Sequence, residues 1–346
     1  MSLRHPTAQE PALRGSAGAR DGLLRSMAAG DPAALREFGD RFGGLAVALT
    51  RKMLPEAPSR TRQRLAQRAL QACVDELPLV AGASLERGGS LDAWVAVVCG
   101  RALHEALARR QLDAAAQRAA ELLPAELPKS RYFELKAYYR PAELLSGDYY
   151  DACLRADGSV LVLLADVMGH GAPAALLVAA VKCAFRSSAQ ADSAAQTLGA
   201  MNRALEGVLP PSCFVAASAM RLGARRGECE FANAGMGRAY VVSRRGGSLA
   251  PLDQPANLLG LFADARYEGV RLSLEPGDRL FLCTDGAADL QSPAGERFGH
   301  ERLREVLRQA APGGNDLCQA VSSALASFGG GAGWYDDVCL LTATAG

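Results

Sequence analysis

Acidic side chains stand at four places where an apolar, strand-like run meets a loop. They are Asp148 in SGDYYD, Asp166 at the end of VLVLLAD, Asp285 at the end of RLFLCTD and the pair Asp336-Asp337 before VCLLTA. A carboxylate at a strand end beside glycine, as at Gly286, lets the backbone come close to a ligand. One such position alone is usually only a turn, so a site is predicted from the four together.

Carboxylates without His or Cys partners are hard oxygen ligands that suit Mg²⁺ or Mn²⁺ rather than Zn²⁺. Carboxylates forced together repel one another, and a cation removes that repulsion. Two cations about 3.5–4 Å apart can share a carboxylate and activate a water for in-line attack on phosphorus. If the fold brings these aspartates together, they predict a centre with two Mn²⁺ or Mg²⁺ ions.

His170 is one of four histidines and lies between Gly169 and Gly171, just before a predicted helix. Two interpretations are open: a loop residue that shapes the turn, which is favoured, or a proton carrier. The amides near residues 171–174 are also placed to bind an anion at the helix start.

Residues beyond 130 alternate between strand-like and helical patterns. Strands are predicted over 132–139, 149–154, 160–166, 213–222, 227–234, 238–243, 268–274, 279–284 and 337–343, and helices over 173–186, 193–208, 299–310 and 315–327. Asp157-Gly158 marks a hairpin between the second and third strands. Helices set among hairpin-linked strands predict an α+β layered fold.

The first 130 residues show only helical patterns after a polar start. Residues 1–20 are predicted to form a disordered tail. Residues 21–111 are predicted to form an all-helical domain, in which Asp31-Pro32 begins one helix and Ser90 caps another. A helix is predicted to end before Pro78, and a Gly-rich loop follows at 79–90. Residues 112–130 predict a linker helix, which either pairs with a second copy as a homodimer or packs on the next domain.

Composition describes an ordinary globular chain of 346 residues with a net charge of +1 and 49% hydrophobic residues. The near-neutral charge argues against a protein built mainly to coat nucleic acid. Nine cysteines occur without a CxxC pair, which favours a reducing cytoplasm. Neither an apolar leader near the start nor an apolar run of about 18 residues is visible, so no membrane span is expected.

Seven motifs in order resemble the SpoIIE-like branch of the PPM metal-dependent protein phosphatases, over about residues 115–344. They are YRPAELLSGDYYD (139–151), ADVMGHGAPAALL (165–177), LGAMNRAL (198–205), FANAGMGRAYV (231–241), LEPGDRLFLCTDG (274–286), GERFGHERL (295–303) and YDDVCLL (335–341). The resemblance implies an α-β-β-α sandwich over 131–346 with two Mn²⁺ or Mg²⁺ ions between its sheets.

The same resemblance assigns roles to the aspartates. Asp166 would bridge both metals, the Val167 carbonyl would bind one, and Asp285 and Asp336 would complete the set. Asp148 would be a ligand or support one. The substrate it implies is a phosphoserine or phosphothreonine on a small anti-anti-sigma protein. The chain departs from the family pattern at Met236, Ser146 and Cys339, and none of these is a predicted ligand.

Residues 23–111 resemble region two of extracytoplasmic-function sigma factors. The similar strings are LLRSMAAGDPAALREFGDRFGGLAVALTRKML (23–54), RLAQRALQACVDEL (64–77) and LDAWVAVVCGRALHEALARR (91–110). The resemblance implies a partner such as RNA polymerase or an anti-sigma factor. Three interpretations are open: a degenerate module that docks a regulator, a true polymerase-binding module, or a helical bundle of chance likeness.

The sequence therefore predicts a metal-dependent serine/threonine protein phosphatase that acts on a phosphorylated signalling protein. The rival hypothesis is a sigma-like adaptor with little catalytic activity. Retention of every predicted aspartate speaks against this rival.

Overall fold

The structure is a computed structural model that describes residues 17–80, 91–237, 239–245, 247–331 and 334–346. The chain divides into two compact units between Gln111 and Leu112. The predicted tail over residues 1–16, the Gly-rich loop over 81–90 and the predicted cap at Ser90 lie outside the described residues. Each unit is considered by itself.

In its described residues, the first unit contains helices joined by short turns, and no strands. Its helices are α1 (Ala17–Ala28), α2 (Pro32–Met53), α3 (Ser59–Val80) and α4 (Leu91–Ala120), the last of which extends past the division. Asp31 caps α2, because its carboxylate accepts a 2.9 Å hydrogen bond from the Ala33 amide and Pro32 occupies the first turn. The buried rings of Phe38 and Phe42 lie 4.9 Å apart in the core of this unit.

Three boundaries in this region differ from the sequence prediction. Residues 17–20 are helical rather than part of a tail, because α1 begins at Ala17. The helix predicted to end before Pro78 continues to Val80, although Pro78 has no amide hydrogen to donate within the helix. The linker helix predicted over 112–130 ends at Ala120, four residues before Pro124.

The second unit contains two five-stranded sheets and five helices in its described residues. Its strands are β1 (Phe133–Arg140), β2 (Asp148–Leu154), β3 (Val160–Val167), β4 (Val215–Leu222), β5 (Glu228–Ala234), β6 (Ala239–Val242), β7 (Leu249–Leu252), β8 (Gly269–Ser273), β9 (Arg279–Cys283) and β10 (Val338–Ala345). Its helices are α5 (Gly171–Ser187), α6 (Ala194–Leu205), α7 (Gly286–Asp289), α8 (Gly299–Ala310) and α9 (Leu317–Gly329). The short elements β7 and α7 were not predicted from the sequence.

Both sheets are antiparallel. One has the strand order β1-β10-β9-β6-β7 and the other β2-β3-β4-β5-β8. Strands β2 and β3 form the hairpin predicted at Asp157-Gly158, and their register sets Asp148 opposite Asp166. This pairing brings two of the predicted site residues to neighbouring positions.

Alternation along β3 shows how the layers form. Leu161, Leu163 and Ala165 belong to the core shared with α5 and α6. Val160, Val162 and Leu164 belong to the core between the two sheets. Successive side chains of a strand point to opposite faces, so a strand covered on both sides is apolar throughout.

A third core joins the other sheet to α8 and α9. The order of layers is therefore helices, sheet, sheet, helices. The predicted fold class, an α-β-β-α sandwich preceded by a helical domain, is confirmed. In the described parts of the chain, no helix is both long and apolar enough to cross a membrane.

Candidate functional site

The acidic segments meet at one end of the space between the sheets. Side chains alternate between the two faces of β3, so Asp166 points toward the other sheet as Val162 and Leu164 do. It lies where the apolar core between the sheets ends. Across the hairpin, Asp148 is its register partner. This sheet therefore presents two carboxylates at the same edge.

The second sheet brings its acidic residues to the same place through β9 and β10. The Thr284 amide donates to the Cys339 carbonyl at 3.0 Å, which continues the ladder beyond Cys283. Residue 286, which follows Asp285, must be glycine, because a Cβ there would lie 2.0 Å from the Asp337 carbonyl oxygen. This close approach sets the Asp285 segment beside Asp336.

Asp148 and Asp337, here termed the inner carboxylates, are buried and hydrogen-bonded. Asp337 accepts hydrogen bonds from the amides of Ala142 at 2.8 Å and Gly147 at 2.9 Å. Asp148 accepts one from the Thr284 hydroxyl at 2.8 Å. Burial, followed by the negative charge of Asp166, raises the pKa of Asp148. The hydrogen bonds of the inner carboxylates thus connect the loop before β2 and the end of β9 to the start of β10.

Asp166, Asp285 and Asp336, here termed the outer carboxylates, face solvent more openly. Asp166 is half-buried, whereas Asp285 and Asp336 are exposed. Burial, together with the charges of Asp285 and Asp336, raises the pKa of Asp166 to about 7. Although their side chains are exposed to solvent, the surrounding protein partly desolvates Asp285 and Asp336, which raises the pKa of both. The pairing of Asp148 with Asp166, the hydrogen bond from Thr284 to Asp148 and the close approach of Gly286 to Asp336 bring these three distant segments together.

The outer carboxylates fit a divalent cation in their chemistry. Within the described residues, no Lys or Arg forms an ion pair with any of them. In that same part of the chain, no three His, Cys, Asp or Glu side chains already stand together as a coordination shell. Like charges hold carboxylates apart unless a cation lies between them. Val167, whose carbonyl is a predicted ligand, is fully buried beside Gly147. Hard oxygen donors with uncompensated charge suit Mg²⁺ or Mn²⁺.

His170 lies at the start of α5 on the rim of this site. Its Nδ1 atom is 3.6 Å from Glu143 Oε1, and its charged form lowers the pKa of Asp336. It occupies the cap position of α5 without a side-chain capping bond. The flanking glycines, Gly169 and Gly171, both adopt positive φ values that other residues rarely adopt. The structure thus places His170 beside the outer carboxylates, and its role stays a prediction.

Three residues that the sequence analysis did not assign to the site also belong to it. Thr284 joins both sheets, because its Oγ1 donates to Asp148 and accepts from the Cys339 amide at 2.9 Å. Ser146 accepts a 3.0 Å hydrogen bond from the Asp148 amide. Glu143 contacts His170. Their only sequence signal was their position next to the acidic motifs.

Comparison with known proteins assigns the chain to a family. The family described as Stage II sporulation protein E (SpoIIE) matches residues 156–345, more than half of the chain. Among relatives, the phosphoserine phosphatase RsbU of Bacillus subtilis is 27% identical over 200 residues, which cover 57% of this chain and 59% of RsbU. The phosphoserine phosphatase RsbP of the same organism is 26% identical over 161 residues, which cover 45% of this chain and 40% of RsbP. The chain thus spans less than two thirds of the length of these relatives.

Solved structures show the same fold. The SiaA-PP2C domain of Pseudomonas aeruginosa superposes with a TM-score of 0.62 at 25% identity, covering 70% of this chain and 98% of that domain. The RsbU and RsbW domains of Rv1364c from Mycobacterium tuberculosis give a TM-score of 0.54 at 22% identity, covering 65% of this chain and 63% of that one. The predicted resemblance is confirmed for the sandwich, while the sigma-like resemblance of the helical unit stays a prediction. The chain belongs to the SpoIIE family and carries a sandwich of the PP2C type.

Proposed function

We propose that the chain is a metal-dependent phosphatase that hydrolyses phosphoserine or phosphothreonine in proteins. The observation that carries this proposal is that the end of β3, the end of β9 and the segment before β10, which bear the outer carboxylates, come together through strand pairing, a hydrogen bond and a close backbone approach. The family and its phosphoserine phosphatase relatives support the same reaction.

The residues proposed to hold the ions are those that the family resemblance assigns. They are Asp166, Asp285, Asp336 and the Val167 carbonyl, with Asp148 as a further ligand or a support. When bound, two Mn²⁺ or Mg²⁺ ions supply an activated water and neutralise charge on the phosphoryl oxygens. Gly147 lets the loop before β2 pack directly on the Val167 carbonyl, since a Cβ there would lie 2.8 Å from that oxygen.

The chain's own residues prepare the site by holding it in place. Asp337 fixes two amides of the loop before β2, and Thr284 fixes Asp148 against β10. These bonds set the outer carboxylates near one another before any substrate arrives. Pre-organised charge of this kind is commonly the largest contribution to enzymatic rate.

The test uses the full chain with MnCl₂ and p-nitrophenyl phosphate. Asp166→Asn and Asp285→Asn should each lower kcat/KM at least about 100-fold, because each replaces a charged ligand by a neutral amide. Asp264→Asn, at an exposed carboxylate outside the motifs, is the matched control. Wild-type turnover in both site variants would refute the metal assignment.

For the substrate, we propose a phosphorylated anti-anti-sigma type protein, as the family resemblance implies. Support comes from the names of the relatives, which are phosphoserine phosphatases. Release of phosphate from such a protein by the full chain, but not by Asp166→Asn, is the expected result. Cleavage of p-nitrophenyl phosphate without any release from these proteins would refute this substrate class alone.

For the helical unit, we propose a docking role toward RNA polymerase or an anti-sigma factor through residues 21–111. Residues 112–130 are proposed to contribute to a homodimer. The support is the sigma-like sequence and the amphipathic packing of α2 and α3. Co-purification of core RNA polymerase with the full chain at low salt tests the first role, and light scattering tests the second. The nine cysteines are free thiols, which supports a reducing cytoplasm.

A further inference from the structure

Two cysteines of the helical unit lie in direct contact. Cys73 on α3 and Cys99 on α4 have their sulfur atoms 3.6 Å apart, and both residues are fully buried. The Cys73 sulfur also lies 4.0 Å from the carbonyl oxygen of Val95, one turn before Cys99 on α4. It is therefore held against two successive turns of the neighbouring helix. Among the described residues, no other two cysteines are hydrogen-bonded to each other.

The contact changes the chemistry of both thiols. A single buried cysteine packs like a small apolar residue and is usually inert. Here the hydrogen bond with Cys73 lowers the pKa of Cys99, although burial opposes that effect. The same hydrogen bond, together with burial, raises the pKa of Cys73. Because the thiolate is the nucleophile, Cys99 is the more reactive sulfur and Cys73 is the neighbour that retains its proton.

The two sulfurs are close enough to bond after a small movement. A disulfide bond is about 2.05 Å long, and the sulfurs start from a separation of 3.6 Å. Rotation of both side chains, with small shifts of the helices, supplies the approach. An ion pair between Glu76 and Arg101 joins the same two helices close to the cysteines, so α3 and α4 are already held side by side.

Full burial restricts the oxidant to a small molecule. Hydrogen peroxide is scarcely larger than water and carries no charge, so brief openings of the core admit it. Thiolates react with peroxide to give a sulfenic acid, which condenses with a neighbouring thiol to a disulfide. In a reducing compartment such disulfides are usually transient and act in catalysis or redox sensing.

We propose that Cys73 and Cys99 form a peroxide-sensitive dithiol, whose oxidation links α3 to α4 by a disulfide bond and so restrains the helical unit. The Cys99 thiolate attacks one oxygen of hydrogen peroxide. The O–O bond breaks, and the departing hydroxide takes up the proton that Cys99 had released. The product at Cys99 is a sulfenic acid, and the first molecule of water is formed.

The second step closes the disulfide. The Cys73 sulfur attacks the Cys99 sulfur, the S–S bond forms, and the S–O bond breaks. Hydroxide leaves and takes up the proton of Cys73 as a second molecule of water. Two thiols and one peroxide thus give one disulfide and two waters, and two electrons pass from the sulfurs to the peroxide oxygens.

The experiment treats the folded full chain with hydrogen peroxide and digests it without reductant. Mass spectrometry should find the Cys73 and Cys99 peptides linked with the loss of two hydrogens, and dithiothreitol should release them. Cys183, an exposed thiol on α5, is the internal reference. At least about half of the chains should carry the link when about half of Cys183 is oxidised, because thiolate character favours oxidation.

Single variants separate the two steps. In Cys73→Ala, Cys99 should remain a sulfenic acid that dimedone traps, whereas the wild-type chain should give little of this adduct. In Cys99→Ala, Cys73 should remain a thiol. Cys183→Ala is the matched control and should form the link as the wild type does. A link that forms only in urea, or only after Cys183 is fully oxidised, would overturn the proposal.

Hydrogen exchange measures whether the link restrains the unit. Oxidation should slow amide exchange in α3 and α4 at least about threefold, because a cross-link restricts the opening of these helices. Peroxide-treated Cys99→Ala should exchange like its untreated form. Unchanged exchange in linked wild-type chains would refute the restraint. These measurements report on thiols and helices, so their outcome is independent of whether the chain proves to be a phosphatase.

Discussion

The inner and outer carboxylates belong to the same site and have the same chemistry, yet their surroundings differ. Asp337 is buried and accepts two amide hydrogen bonds, whereas Asp166 has no hydrogen-bond donor among the described residues and a raised pKa. A buried charge persists only when it is paired or hydrogen-bonded. From this difference we propose that the inner set supports the fold and the outer set binds a ligand.

The largest expected effect separates activity from stability at Asp166. Asp166→Asn should lower activity at least about 100-fold, while the melting temperature in EDTA stays unchanged or rises, because the variant removes a charge that repels Asp285 and Asp336. Differential scanning fluorimetry beside the p-nitrophenyl phosphate assay checks both. If the metal-free variant melts well below the wild type, Asp166 supports the fold as the inner carboxylates do.

Substitution of an inner carboxylate should show the opposite pattern. Asp337→Ala removes two charge-assisted hydrogen bonds and leaves two amides without acceptors, so it should lower the free energy of unfolding by about 3 kcal/mol. For a unit of this size that is roughly 6–12 °C in melting temperature. Asp264→Ala, at an exposed position, should change it by less than about 2 °C. Equal melting temperatures for the two variants would contradict a supporting role for Asp337.

Gly286→Ala tests the close approach between the two acidic segments. The new methyl group would meet the Asp337 carbonyl at 2.0 Å, and the backbone shift that relieves this clash should cost about 2 kcal/mol and lower activity. Gly199→Ala is the control, because its nearest neighbour would be an Arg203 side-chain nitrogen at 3.6 Å and alanine favours a helix. Urea unfolding of both variants measures the difference. A Gly286→Ala protein as stable and active as Gly199→Ala would contradict this packing.

Thr284→Val keeps the shape of the residue that joins Asp148 to β10 and removes its hydroxyl. Two hydrogen bonds are lost, to Asp148 and from the Cys339 amide, so stability should fall by about 1.5 kcal/mol. Thr284→Ser, which retains the hydroxyl, should recover most of this loss. Urea unfolding that fails to distinguish valine from serine would mean that the hydroxyl contributes little.

A last expected effect concerns how the stability of the metal-free protein depends on pH. The folded state holds the pKa of Asp166 at about 7, above its ordinary value of 3.8, so the folded chain binds more protons than the unfolded chain between these values. The stability contributed by protonated Asp166 is present below about pH 4 and is lost as pH rises toward 7. In EDTA, the melting temperature should therefore fall more between pH 5 and pH 7.5 for wild type than for Asp166→Asn. Identical pH profiles would contradict the crowding of the outer carboxylates.

Local patterns in the sequence were sufficient for the element types of the sandwich and for the candidate aspartates. Strand and helix periodicities are visible within a few residues of sequence, and so are helix caps such as Asp31. Two helix ends that differ from the prediction, at Val80 and Ala120, lie near prolines, whose effect on a helix depends on the surrounding structure. The elements β7 and α7, of four residues each, were too short for a period to show. The motifs also indicated the family correctly.

Only the tertiary structure separated carboxylates that look alike in the sequence. Asp336 and Asp337 are adjacent, yet one is exposed near Asp166 and the other is buried against amides of Ala142 and Gly147, about 190 residues away. Thr284 became part of the site because β9 and β10 are paired. Burial, hydrogen bonding and the repulsion between charges depend on which distant segments meet, and no local spacing contains that information.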